Sequence, residues 1–176
     1  MRFVPLAIDG AFLVALAPAA DERGSFARLF CKATFAAAGL VSEFVQVSLS
    51  VNTHAGTLRG MHYSVGSHAE TKLVRCIKGA IHDVLVDVRP GSASFGTSVV
   101  QGLSASGDTA LYIPAGVAHG FQTLCDGSDV LYMIDRPFVA EAARGFRWND
   151  RIVAAAWPRV VTGISDRDRN YPDFSV

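Results

Sequence analysis

An all-β sandwich or barrel is the fold class that this sequence predicts. Short runs rich in Val, Ile, Leu, Phe and Tyr are divided by turn signals at close, regular intervals. These are His54-Ala55-Gly56, Gly66-Ser67, Lys78-Gly79, Arg89-Pro90-Gly91-Ser92, Ser106-Gly107-Asp108, Pro114-Ala115-Gly116 and Cys125-Asp126-Gly127-Ser128. Segments of that length suit strands and are too short for most helices. In the clearest of them, residues 81–89, Val84, Val86 and Val88 point one way while Asp83, Leu85 and Asp87 point the other. That is the period-two signature of a strand. Helix signals are few by comparison.

Taken in order, the first strand is expected over residues 12–17. Residues 32–38 are Ala-rich and run into Gly39, which suits the left-handed position after a helix. One short helix is expected there. Strands follow over residues 44–50, 57–63, 73–77, 81–89, 98–103, 110–113, 120–124 and 129–134. The tail, residues 144–176, carries Trp148, Trp157 and Pro158 among many charges. It is expected to fold back over the barrel as turns and short helices. No repeat, low-complexity linker or composition break divides the chain, so a single domain over residues 1–176 is expected.

The 176 residues are 50% hydrophobic and 18% charged, which excludes a disordered chain. Lys+Arg and Asp+Glu both number 16, so no excess of positive charge supports a nucleic-acid surface. Cys31, Cys76 and Cys125 lie far apart and form no C-x-x-C pair, as expected of free thiols in a reducing compartment. No apolar run reaches the ~18 residues of a membrane span. A cytoplasmic protein is expected, with no membrane or nucleic-acid partner.

Two of the five histidines stand in informative settings. His119 closes Pro114-Ala115-Gly116-Val117-Ala118-His119, the P-x-G-x-x-H pattern of cupin barrels, which are double-stranded β-helix (jelly-roll) folds. His62 lies in Leu58-Arg59-Gly60-Met61-His62-Tyr63 and lacks the second histidine of a metal cupin's H-x-H, because Ser64 stands there. Glu70 is the only acid nearby. Two imidazoles make a poor site for a first-row metal, so no metal is expected. For His54, His68 and His82 a structural role is expected. Arg59, Tyr63 and Lys72 crowd the His62 segment, and buried cations need a partner, so an anionic ligand in the barrel mouth is expected. Strict alternation sets Arg59 and His62 on opposite faces; both reach one pocket only if the strand is bulged or strongly twisted, which Gly60 between them would permit. Taken alone, Tyr132 reads as a core aromatic and Asp168 as a solvated tail residue.

The chain resembles the dTDP-4-dehydrorhamnose 3,5-epimerase family nearly end to end. The segments that carry the likeness include Asp21-Glu22-Arg23-Gly24-Ser25-Phe26, Phe44-Val45-Gln46, Leu58 through Tyr63, Lys72-Leu73-Val74-Arg75, Asp83 through Arg89, Ile113 through Phe121, Leu131-Tyr132, Arg144 through Asp150, Trp157-Pro158 and Ser165 through Asp168. The resemblance implies an isomerase that inverts C3, C5 or both in a nucleoside-diphosphate-linked 4-keto-6-deoxy sugar, with no cofactor. It implies His62 as base, Asp168 as its carboxylate partner, Tyr132 as acid on the far face and Lys72 beside the enolate oxygen. Arg23, Phe26, Gln46, Arg59, Asp83 and His119 would bind or orient the substrate. It also implies a homodimer, with residues 3–16 crossing to the partner.

This chain departs from the family at the nucleotide positions. Arg28 replaces a carboxylate, Gln46-Val47-Ser48 replaces Gln-Asp-Asn, and Ala143 replaces Glu. Met133 and Ser64 replace the common Lys and Gln. Each lost polar contact is worth on the order of 1–3 kcal/mol, so dTDP is expected to bind less well than a cytidine or guanosine diphosphate. A metal-dependent cupin, a sugar ketoisomerase and a non-catalytic sugar-binding barrel stand as alternatives.

Overall fold

The structure is a computed structural model that describes residues 1–175; Val176, last in the expected domain and tail, lies outside the described residues. The chain runs β1 (Arg2–Pro5), β2 (Phe12–Ala15), β3 (Ala19–Asp21), β4 (Gly24–Phe26), α1 (Lys32–Ala37), β5 (Gln46–Asn52), β6 (Leu58–Ser64), β7 (Lys72–Lys78), β8 (Ala80–Asp87), β9 (Ser98–Ser104), β10 (Thr109–Ile113), β11 (Val117–Thr123), β12 (Ser128–Ile134), β13 (Ala143–Gly145) and α2 (Asp166–Arg169). One sheet has the order β1-β2-β10-β7-β12-β5 and the other β13-β6-β11-β8-β9. Their ladders are antiparallel. The two sheets form a jelly-roll barrel of the cupin type, as expected.

Each expected strand is present, with shifted ends. The strand expected from Gly120 begins at Val117, which places His119 inside it. β1, β13 and the β3–β4 hairpin were not expected. The helix ends as Gly39 requires: its φ is +71°, Leu40 N–H donates to the Phe35 carbonyl at 3.0 Å, and Gly39 N–H donates to Ala36 at 3.0 Å. That is the paired closure of a Schellman cap.

Apolar residues fill three layers. Ile81, Leu85, Leu111, Phe121 and Val130 pack between the sheets. Behind the five-stranded sheet, Met61, Val84, Val86 and Phe146 lie beneath the tail, whose Trp157 and Phe174 cover them. Behind the six-stranded sheet, Phe35 of α1 packs with Val14, Leu73 and Tyr112. β8 is therefore buried on both faces, and its acid-bearing face turns inward with Leu85.

Asp87, at the end of β8, is fully buried. It accepts hydrogen bonds from Arg89 Nε at 2.9 Å and Nη2 at 2.7 Å, and from the Ser92 and Ser94 hydroxyls at 2.6 Å each. Arg89 also reaches the Asp9 carbonyl at 2.8 Å, tying this loop to the N-terminal turn. Burial pushes the Asp87 carboxyl up, but the donors outweigh it and hold it far below the usual carboxylate range. A depressed folded pKa contributes stability above the unfolded value of about 3.9, and that contribution is lost as pH falls through the folded value. Asp87→Asn is expected to cost about 3 kcal/mol at neutral pH, because Arg89 loses its buried partner. Denaturant titrations at several pH values should show the gap between wild type and variant closing below about pH 4.

Candidate active site

The site begins with an irregularity in β6. In the ladder with β11, His62 lies opposite His119 and Arg59 opposite Phe121. Gly60 and Met61 together therefore face the single residue Gly120, and of the two irregularities that the sequence allows, β6 carries the bulge. Gly60 has φ +134°, and a Cβ there would lie 2.6 Å from Gly120 Cα. A Cβ on Gly120 would in turn lie 2.6 Å from Met61 Sδ. The extra residue turns Arg59 and His62 toward one cavity while Met61 goes to the outer layer.

That cavity, of about 350 Å³, lies between the sheets. His62 stands on its β6 wall, with Nε2 2.7 Å from Asp168 Oδ1. The other Asp168 oxygen accepts Gly60 N–H at 3.2 Å, and Ser165 caps the short helix by accepting Asp168 N–H at 3.1 Å. Burial raises the Asp168 carboxyl, yet the hydrogen bond and charge of His62, with Gly60 and Ser165, hold it below the usual range. Asp168 is thus an anion tied to His62, not a solvated tail residue. With Nε2 so engaged, Nδ1 is the ring nitrogen left for chemistry.

Tyr132 faces the cavity from β12 in the opposite sheet. Its ring lies 5.9 Å from that of His119 in an edge-on contact. Burial, then the Asp83 carboxylate, raise the phenol above its ordinary value, with Arg59 opposing them. The hydroxyl therefore stays protonated and able to donate. His119 Nε2 bonds Asp83 Oδ2 at 3.0 Å, both residues being buried. Lys72, from β7, has Nζ 3.1 Å from Glu70 Oε1.

Among the described residues, Glu70 on the cavity and Asp83 and Asp168 behind it each have a cationic or imidazole partner, whereas three arginines of the lining bond to neutral groups. Arg59 Nε donates to Asn52 Oδ1 at 2.8 Å, Arg144 donates to the Glu141 carbonyl at 2.7 Å, and Arg167 Nε donates to the Tyr171 hydroxyl at 2.6 Å. Their uncompensated charge makes the cavity attractive to an anion. Among the described residues no three His, Cys, Asp or Glu side chains cluster as a metal would need.

Not every expected site residue converges. Arg23 and Phe26 do not line this cavity; they lie on the β3–β4 hairpin, which pairs only with itself. Arg23 bonds Asp21 at 2.6 Å, and Phe26 is 77% exposed. Gln46 begins β5 on its inward face but does not line the cavity, and its buried Oε1 has no partner among the described residues. Of the departures, Ser48, Ser64 and Ala143 line the cavity, while Arg28, Val47 and Met133 do not. Ser50, Phe138, Arg144 and Arg167 line it without having been singled out. The neighbour of Asp168 in the tail motif was the available signal for Arg167.

An imidazole on one wall, with a phenol and an ammonium group on the other, can move a proton across a flat intermediate. The model of the dTDP-4-dehydrorhamnose 3,5-epimerase family matches residues 5–175. An epimerase of that name from Sinorhizobium fredii is 36% identical over 175 residues, covering 99% of this chain and 90% of its own. The crystal structure of the Bacillus anthracis enzyme of that name, with TDP and PPi bound, has a TM-score of 0.93 at 36% identity and covers 98% of this chain and 99% of its own. A 3′-monoepimerase from Streptomyces bikiniensis in complex with dTDP-quinovose has a TM-score of 0.89 at 32% identity, covering 96% of this chain and 86% of its own. Fold, site and matches define an isomerase of the epimerase class. The chain belongs to the dTDP-4-dehydrorhamnose 3,5-epimerase family.

Proposed function

We propose that the chain, acting as one domain over residues 1–176, inverts C3, C5 or both in a nucleoside-diphosphate-linked 4-keto-6-deoxy sugar. The observation that carries this reading is the placement of His62 and Tyr132 in opposite sheets across one cavity. The C4 ketone acidifies the flanking C–H bonds. His62 takes the proton through Nδ1, and the electron pair moves onto O4 as an enolate. Asp168 holds the imidazole by Nε2 and stabilises the imidazolium. Lys72 stabilises the enolate oxygen, while Glu70 keeps the ammonium in place. Tyr132 then delivers a proton to the opposite face, and solvent resets both groups. His119, held by Asp83, supports the sugar from the cavity floor. The cycle balances without a cofactor.

Arg59, Arg144 and Arg167 hold the diphosphate. Ser48 and Ala143 offer the base few polar contacts, which supports dTDP as a ligand but not the tightest one. Titration calorimetry should give tighter binding for CDP or GDP than for dTDP. A dTDP preference of about 1.4 kcal/mol (tenfold) or more would overturn that choice of base. The reaction itself is tested in deuterated water with 4-keto-6-deoxy sugars on different nucleotides. Deuterium at C3, C5 or both identifies the inverted carbons, and no uptake from any of them overturns the proposal.

The working unit is a homodimer, and the outer face of β5 supports this. Val47 is 66% exposed, Leu49 55% and Val51 61%, on a face where a solvated antiparallel sheet carries polar residues. A second copy seated there would bury them. Within the chain β1 pairs with β2 and β2 with β10, and β1 ends the sheet, the edge at which residues 3–16 would meet a partner. The β3–β4 hairpin is the free element, and it would offer Arg23 and Phe26 to the partner's cavity. Light scattering should find a dimer at micromolar concentration; a stable monomer there counts against this assembly. A cytoplasmic setting agrees with Cys31, Cys76 and Cys125 all being free. No helix among the described residues is long and apolar enough to cross a membrane.

A further inference from the structure

Gln122 of β11 is fully buried, yet it belongs to neither the cavity nor the apolar core between the sheets. Phe121 beside it packs into that core, so alternation turns Gln122 to the outer face, beneath the tail. Its Nε2 donates to the Arg159 carbonyl at 2.9 Å, and its Oε1 accepts Arg159 N–H at 3.0 Å. A neighbouring strand would satisfy Arg159 with the same pair of groups; here one side chain does so.

Beyond Arg159 the tail stays in register. Thr162 N–H donates to the Gly56 carbonyl at 3.1 Å, and Thr162 Oγ1 donates to the Ala55 carbonyl. Gly163 forms a parallel bridge with Thr57, and its carbonyl accepts Leu58 N–H at 2.8 Å. Leu58 is the ladder partner of Gln122, so both contacts act on one level of the sheet. Ser165 follows at once, capping the short helix that carries Asp168 to His62. A strap that slipped by one residue would present its opposite side and withdraw Asp168.

We propose that Gln122 is a positioning residue: it sets the register of the strap formed by residues 159–165 and thereby holds Asp168 against His62. This rests on the reading of Asp168 and His62 as the base pair. A buried Met of similar size would fill the space but would leave Arg159 free to shift. The amide therefore contributes register beyond packing.

Rates of deuterium uptake into dTDP-4-keto-6-deoxyglucose give kcat and KM for wild type, Gln122→Met, Thr162→Val, Asp168→Asn and the Gln122→Met/Asp168→Asn double variant. Gln122→Met should lose kcat by about tenfold or more, with a smaller rise in KM, because Arg167 moves with Asp168 while Arg59 and Arg144 stay in place. Thr162→Val is exposed and spares the core, and it should show a smaller loss of the same kind, larger in kcat than in KM. The double variant should be no more than about twofold slower than Asp168→Asn, since both changes act through one carboxylate. A Gln122→Met protein with a lowered melting temperature and full kcat would overturn the inference, and so would additive losses in the double variant. If Gln122→Met does not fold, an unchanged kcat in Thr162→Val overturns it. Full activity in Asp168→Asn would overturn the reading of the base itself, a result distinct from either.

Discussion

His62→Ala is expected to abolish deuterium uptake at both C3 and C5, a loss of about a thousandfold or more. No other group on the cavity can take over as base. His119 is bonded to Asp83 and only 5% exposed, whereas the His62 side chain is 41% exposed. Glu70 is held by Lys72. Asp168→Asn should keep the fold and lower the rate by about a hundredfold. Gly60 N–H would hold the amide oxygen, turning the amide NH2 toward His62. Nε2 would then have to accept, and the proton would move to Nδ1, the atom that must be bare to act as base. A His62→Ala protein that takes up C5 deuterium at the wild-type rate would sink the assignment.

Tyr132→Phe separates two halves of the reaction that His62→Ala removes together. Only the hydroxyl is lost, so the contact with the His119 ring survives. His62 can still remove a proton and return a deuteron on its own face. Deuterium uptake should therefore persist within about tenfold, while net inversion falls by about a hundredfold or more. Proton NMR of one reaction in deuterated water reads both quantities. If uptake and inversion were both unchanged, Tyr132 would be a core aromatic and the proton would come from elsewhere.

Where side chains alternate against a core, the fold was legible from the sequence. The strict alternation in β8 and the Gly39 stop of α1 both appear where expected. The β3–β4 hairpin was not legible, because its residues are exposed throughout and carry no apolar period. β1 and β13 are too short for a period to show. In the cavity, His62, Tyr132, Lys72 and Asp168 came from motifs, and the bulge that unites Arg59 with His62 is one of the two irregularities that Gly60 permits. Ser50, Arg144 and Phe138 are set by register and by a tail that returns over the sheet, and neither leaves a local signal. Arg23 and Phe26 were expected from motif alone, and motif does not say where a hairpin that pairs with itself lies relative to the cavity.

The division of labour between the walls has a stereochemical consequence. In a pyranose chair of gluco configuration, the hydrogens on C3 and C5 are both axial and lie on the same side of the ring, flanking C4. A sugar seated with that side toward β6 shows both hydrogens to one imidazole and the bare reverse of both carbons to one phenol. No second set of groups is needed for a second inversion, and the sugar need not leave and return turned over. On the proposed roles, whether one carbon or two is inverted becomes a contest between the lifetime of the bound ketone and the time His62 needs to shed its proton and Tyr132 to regain one.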